Sequence, residues 1–241
     1  MKSSGAKPVM EGNRTGIQTA PELAEEMIEG ASIAMPSSEG GPEEAAELRA
    51  EYIAEGFPLG SKPGIAVSEE ADADEEEAGL AVFMDKLGER LAFERMGTRL
   101  YEALYNKCET LGEAAPGPTL EDIQQIGSEE LQHFLLLNRT IVEAGGDPTV
   151  QTPCADVAAV ASLGIMQVLT DPRTSMAQSL QAILTAELTD NAGWELLIQL
   201  ADNLGYEELS TQFQEALAHE EEHLVNVRSW LSECVMENAQ V

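Results

Sequence analysis

The chain has 241 residues, 43% of them hydrophobic, enough to bury the core of one large domain or of a medium domain with an appendage. Its 44 acidic and 13 basic residues give a formal net charge of −31, which argues against nucleic acid and anionic membranes as partners and suits the attraction of cations, although such acidity also serves solubility or life in a salty medium. No apolar stretch follows Lys2 and Lys7, and the apolar run Val157 to Leu169 falls short of the roughly 20 residues that cross a bilayer. The three cysteines, Cys108, Cys154 and Cys234, form no C-x-x-C. The setting expected is a reducing cytoplasm, with the thiols acting as small buried hydrophobes.

Residues 1–77 are rich in Gly and Pro and carry an acidic run from Glu69 to Glu77. Such a segment buries too little apolar surface to offset chain entropy, so a flexible acidic N-terminal arm is expected. Two pieces of it have helical spacing. Pro21 to Ala31 offers Leu23, Met27 and Ile28, and Glu43 to Glu55 offers Ala45, Leu48, Tyr52 and Ile53. Each is too short to be stable alone.

Residues 78–241 read as a helical domain. A first helix, about Ala78 to Leu111, has the stripe Leu80, Met84, Leu87, Leu91, Glu94, Thr98, Tyr101, Tyr105 and Cys108. Gly112 and Pro116-Gly117-Pro118 then break the chain. A second helix starts at the N-cap Thr119, with Asp122 at N3, and runs to about Ala144. Its stripe is Ile123, Ile126, Glu130, His133, Leu137 and Ile141. A long connection from Asp147 to Pro172 holds the apolar segment Ala155 to Thr170, readable as a crossover helix. Asp171-Pro172 is expected to open a third helix ending near Leu204, with the stripe Leu180, Leu184, Glu187, Asn191, Trp194, Ile198 and Ala201. A fourth, from Tyr206 to Met236, presents Leu209, Phe213, Leu217, Glu220, His223, Leu224, Val227 and Leu231. Two tight connections and one long one predict two antiparallel hairpins in which the third helix runs parallel to the second.

A glutamate interrupts each apolar stripe near mid-helix: Glu94, Glu130, Glu187 and Glu220. Two of these open a Glu-x-x-His, Glu130 with His133 and Glu220 with His223, and that spacing puts carboxylate and imidazole one turn apart on one face. Four carboxylates at one height in a core repel one another and lose their hydration unless cations neutralise them. No Lys or Arg lies on these stripes at that level. A metal pair supplies the missing charge, and oxygen with imidazole nitrogen suits iron or manganese, with zinc also accommodated.

This order, Glu, Glu-x-x-His, Glu, Glu-x-x-His, resembles the ferritin-like di-iron carboxylate superfamily, including the rubrerythrins and bacterioferritins, over about residues 78 to 236. The resemblance implies an all-α protein: a ferritin-like four-helix bundle with one long crossover, preceded by the arm. It implies two iron ions, or manganese, bridged by Glu130 and Glu220, with Glu94 and Glu187 as terminal ligands and one histidine on each metal. Asp190, three residues after Glu187, matches a place where rubrerythrin-like peroxidases carry a second carboxylate, and is expected as an extra ligand or as an acceptor for an imidazole N–H. The paired C-x-x-C of a rubredoxin module is missing, so electrons would come from an external donor, from Fe(II) or from exposed thiols.

The function expected is redox chemistry at a di-iron centre, either ferroxidase activity or reduction of peroxide or dioxygen. Two other classes stand beside it: a non-enzymatic iron-storage or iron-handling protein within a larger assembly, and a scaffold with a vestigial site; a homo-oligomer is expected. His219 reads as a satisfied helix histidine beside the stripe, and Tyr101 and Tyr105 as core. Arg90, Arg95 and Arg99 read as partners of nearby acids, Glu129, Glu221 and Glu222 as a solvated face, and Trp194 and Trp230 as core or interface residues.

Overall fold

The structure, a computed structural model, describes residues 22, 25–26, 28–30, 41–55, 75–112 and 117–239. The chain divides into two units, Met1–Phe57 and Pro58–Val241. In the first, α1 spans Pro42–Glu55, close to the helix expected there. Of the expected helix from Pro21 to Ala31, the described positions 22, 25–26 and 28–30 are helical. The rest of that helix, and most of the arm, lie outside the described residues.

The second unit holds α2 (Glu75–Leu111), α3 (Leu120–Glu143), α4 (Pro153–Thr170), α5 (Met176–Asn203) and α6 (Glu207–Asn238). Among the described residues all regular structure is helical. Local chemistry sets the boundaries. Thr119 caps α3 in a reciprocal box with Asp122, as the sequence predicts. The start of α5 differs from expectation. Ser175 is the N-cap, boxed with Gln178, and Asp171 instead bonds Arg173 in a turn that contains Pro172. Gly145 and Gly205, at φ of 81° and 76°, end α3 and α5 in the left-handed region open to glycine.

Contacts fix the directions. On α2 and α3, Gly97 lies against Glu130, Tyr101 against Gly127 and Met84 against Gly146, so the pair is antiparallel. Arg90 meets Asp190, and Gly79 meets Leu204, which sets α5 antiparallel to α2 and therefore parallel to α3. Asn191 donates to the Glu220 carbonyl and Trp194 meets Phe213, so α6 runs antiparallel to α5.

The long connection is α4, which travels along α2 and is tied to it at both ends. Thr152 Oγ1 donates to Asp85 O, and the Cys154 amide to Asp85 Oδ1, while Lys107 Nζ donates to Asp171 O at the far end. This helix covers the expected run Val157 to Leu169. At 18 residues it is, among the described residues, the one helix long and apolar enough by length and composition to cross a bilayer, which the run alone is not. Its residues Ala155, Ser162 and Leu169 are buried.

Two apolar clusters fill the interior. One centres on Phe83, Met84, Leu87, Leu137, Ile141, Trp194 and Phe213, and the other on Leu100, Leu104, Ile123, Ile126, Ile183 and Val227. The layer between them is polar.

Candidate metal centre

That middle layer consists of the side chains that interrupt the four stripes. Glu94 on α2, Glu130 and His133 on α3, Glu187 on α5, and Glu220 and His223 on α6 are all buried, and Glu94 and Glu220 show no accessible surface at all. Carboxylates are here because each occupies a position of its helix that the apolar period assigns to the interior. The ligating atoms of Glu130, Glu187, Glu220 and His223 lie within 4.8 Å of one another, as do those of Glu94, His133 and Glu220. Glu220 belongs to both groups. A third group joins Glu94, Glu130 and Glu220 to Asp190.

The atoms converge without satisfying one another. Both oxygens of Glu94, one oxygen each of Glu130, Glu187 and Glu220, and Nδ1 of His133 are buried without a hydrogen bond. His133 Nδ1 and Glu220 Oε1 lie 2.7 Å apart, but not in hydrogen-bonding geometry. Such orphaned groups cost heavily in a core. Acceptor atoms gathered this closely are what a bound cation satisfies, so the donor set could hold a metal ion.

Protons take up the strain when no cation is present. Burial, with the neighbouring Glu220 and Glu94 carboxylates, holds the Glu130 carboxyl well above its ordinary range. Burial and Glu220 push Glu187 up to about 8. Burial also raises Asp190 well above its usual value, against the pull of Arg90. For His133 and His223 burial opposes the charged ring, but the pull of the adjacent Glu220 carboxylate outweighs it and both rise to about 9. Glu220 goes the other way. In spite of its burial, the two imidazoles hold it down to about 2.

Some neighbours match expectation and others differ. Arg90, 4% exposed, pairs with acids as expected, placing Nη1 3.2 Å from Asp190 Oδ1 and Nε 3.3 Å from Glu94 Oε1, and so brings a cation to this level from off the stripes. It sits one turn before Glu94, off the stripe, and reaches inward over the Phe93 ring. Asp190 is buried as a partner of this guanidinium, and the outward nitrogens of the two histidines meet other groups. Glu129, expected in a solvated face, is half-buried with Oε2 2.8 Å from His223 Nε2. His219 is exposed, stacks on His133 at 5.5 Å between ring centroids, and has Nδ1 3.3 Å from His133 Nε2. Tyr101 donates to Glu187 Oε1 from within the core, while Tyr105 is half-buried. Arg95 lies over the Phe134 ring, and among the described residues it makes no ion pair. Trp194 is core and packs edge-on to His133, and Trp230 is half-buried.

Two glycines make room for this chemistry. A Cβ on Gly97 would collide with Glu130 Oε2 and stand 2.7 Å from its carboxyl carbon, and one on Gly193 would collide with Arg90 Nη1. The seam between α3 and α6 opens into two cavities. One, about 360 Å³, is lined by Gln132, His133, Arg139, Gln212, Glu215 and His219. The other, about 290 Å³, is lined by Glu121, Asp122, Glu129, Glu222, His223 and Trp230.

In comparisons with known proteins no family model matches the chain, and neither a curated protein nor a solved structure matches it.

Proposed function

We propose that residues 75–238 form a ferritin-like four-helix bundle whose centre binds two divalent metal ions, iron or manganese, and that the protein is a di-iron-type oxidoreductase acting on Fe(II), dioxygen or peroxide. The observation that carries this reading is the convergence between four helices of buried ligand atoms that make no hydrogen bond, from Glu94, Glu130, His133, Glu187 and Glu220. Charge arithmetic supports it. The glutamates bring four negative charges, which two divalent cations match, while Asp190 is balanced by Arg90.

Glu220, common to all three ligand groups, would help to hold both ions, with Glu130 beside it. His133 and His223 turn Nδ1 inward and give Nε2 to outer partners, which fixes each ring. The Tyr101 hydroxyl holds one oxygen of Glu187 and leaves the other oriented to the centre. Bound iron or manganese would supply one-electron chemistry toward dioxygen or peroxide. Uptake of the cations requires the raised carboxyls and imidazoles to release their protons, so metal binding is coupled to proton loss. The apolar clusters on either side keep bulk water from the layer.

The test is anaerobic titration of metal-free protein with Fe(II), followed by admission of air or peroxide. Two ions per chain and an iron–oxo absorption are expected, and both should be lost in Glu130→Ala and Glu220→Ala. Folded protein that takes up no divalent cation would remove this function. Binding of two ions with no oxidation on exposure to air or peroxide would leave iron handling without catalysis.

A further inference from the structure

The two halves of the centre are related by position along α3 and α6, yet they are chemically unequal. On α3 the order is Glu129, Glu130, then His133. On α6 it is His219, Glu220, then His223. In each half the residue just before the glutamate reaches across the seam to the histidine of the other helix. Glu129 Oε2 stands 2.8 Å from His223 Nε2, and His219 Nδ1 stands 3.3 Å from His133 Nε2. The swap of carboxylate for imidazole therefore falls at equivalent places. Resting on the dinuclear reading above, we infer that Glu129 and His219 are positioning residues that make the two cation positions unequal, so that the position beside His223 fills first and the position beside His133 fills second and more weakly.

The physical ground is the charge of the outer acceptor. A ring that ligates through Nδ1 must carry its proton on Nε2. A carboxylate accepting that proton builds negative charge on the ring and strengthens its donation to the metal. A neutral imidazole accepting it at longer range does less, and His219 is exposed, so water competes for its place. The ligand groups reinforce the difference. His223 gathers Glu130, Glu187 and Glu220, whereas His133 gathers Glu94 and Glu220, and Glu94 also faces Arg90. The approaches differ too. The cavity over His223 is lined by Glu121, Asp122, Glu129 and Glu222, and the cavity over His133 by Arg139 and His219 alongside Glu215. A cation meets the more negative mouth on the His223 side.

Manganese(II) is the probe, since it does not turn over in air on the time scale of a titration. Calorimetry and the electron paramagnetic resonance of free Mn(II) should resolve a tighter and a weaker step in the full chain. Glu129→Gln should weaken the tighter step about tenfold, the lower end of what an outer partner of a ligating histidine contributes, with a much smaller effect on the weaker one. His219→Glu should tighten the weaker step and bring the two together. Glu129 is half-buried and His219 exposed, so circular dichroism should stay unchanged, and His219→Glu carries the test by itself if the other variant fails to fold. Two identical steps in the native chain, equal shifts of both steps in Glu129→Gln, or no tightening in His219→Glu would each overturn the inference and leave the dinuclear centre standing. Absence of any Mn(II) or Fe(II) binding would remove the centre itself.

Discussion

Gly97 shows how one missing carbon shapes the centre. Glu130 leans over the α2 backbone at this glycine, and a methyl group there would stand 2.7 Å from the carboxyl carbon. The obstructed atoms are the far end of a flexible side chain, so Gly97→Ala should displace Glu130 and leave the helix intact, helped by the better helix propensity of alanine. Helical circular dichroism should be kept while Fe(II) and Mn(II) affinity drops by about tenfold or more; a variant that binds both ions normally would show that Glu130 is not a ligand. Protonation gives a second residue-level prediction. Glu187, with a folded value of about 8 against 4.5, and His133 and His223, about 9 against 6.5, hold protons more tightly in the folded state. Their stabilisation is complete below the unfolded values and is lost as pH rises through the folded ones. Glu220, held at about 2, acts in the opposite sense, contributing above 4.5 and failing only in strong acid. Metal-free protein in a chelator should therefore melt progressively lower between about pH 6 and about pH 9. Divalent cations replace those protons, so the melting-temperature gain on adding Mn(II) should grow across the same window. A flat metal-free profile would contradict the burial of these groups.

The same logic at the scale of elements explains what could be read in the chain beforehand. Regular apolar spacing with capping chemistry placed α3 almost to the residue, and all six positions of its stripe are buried. It also placed the four interrupting glutamates and both histidines, because an interior position is dictated by period alone. Residues acting from outside a stripe were hidden. Arg90 enters from the flank of α2, and Glu129 and His219 look like surface until the neighbouring helix is known. Proline misled at Pro172, where the Asp171 turn with Arg173 and the Ser175 cap delay α5 to Met176. The crossover α4 was legible as apolar sequence, but its attachment was not, since it depends on pairs far apart in the chain. Thr152 is the sharpest of these. It is fully buried, caps α4 through Ala155 N and donates to Asp85 O across a close approach at Gly88. Thr152→Val should remove both bonds, costing about 1–2 kcal/mol and lowering the melting temperature by about 2–8 °C without changing metal stoichiometry. Thermal denaturation with and without metal checks both halves, and a stoichiometry below two would tie α4 to the centre.

For the whole molecule, the question is which part of the chain carries the proposed chemistry. Among the described residues every ligand candidate lies between Glu94 and His223, and both apolar clusters are drawn from residues beyond Glu75. Residues 1–74 contain no His and no Cys. A chain starting at Glu75 keeps α2 to α6 entire, with the Asp85 and Lys107 attachments of α4. It should therefore fold and bind two metal ions per chain, with the melting temperature rising on addition of Fe(II) or Mn(II), because the folded state binds the cations far better than the unfolded chain does. Loss of the first 74 residues should alter association, solubility or partner binding instead. Measuring metal content, helical circular dichroism and melting temperature on the full and shortened chains in parallel separates the cases. A shortened chain that is helical and soluble but holds fewer than two ions would place part of the site in the N-terminal segment. Aggregation only after shortening, with metal content preserved in the soluble fraction, would show that the segment covers apolar surface and leaves the ligands to the helices.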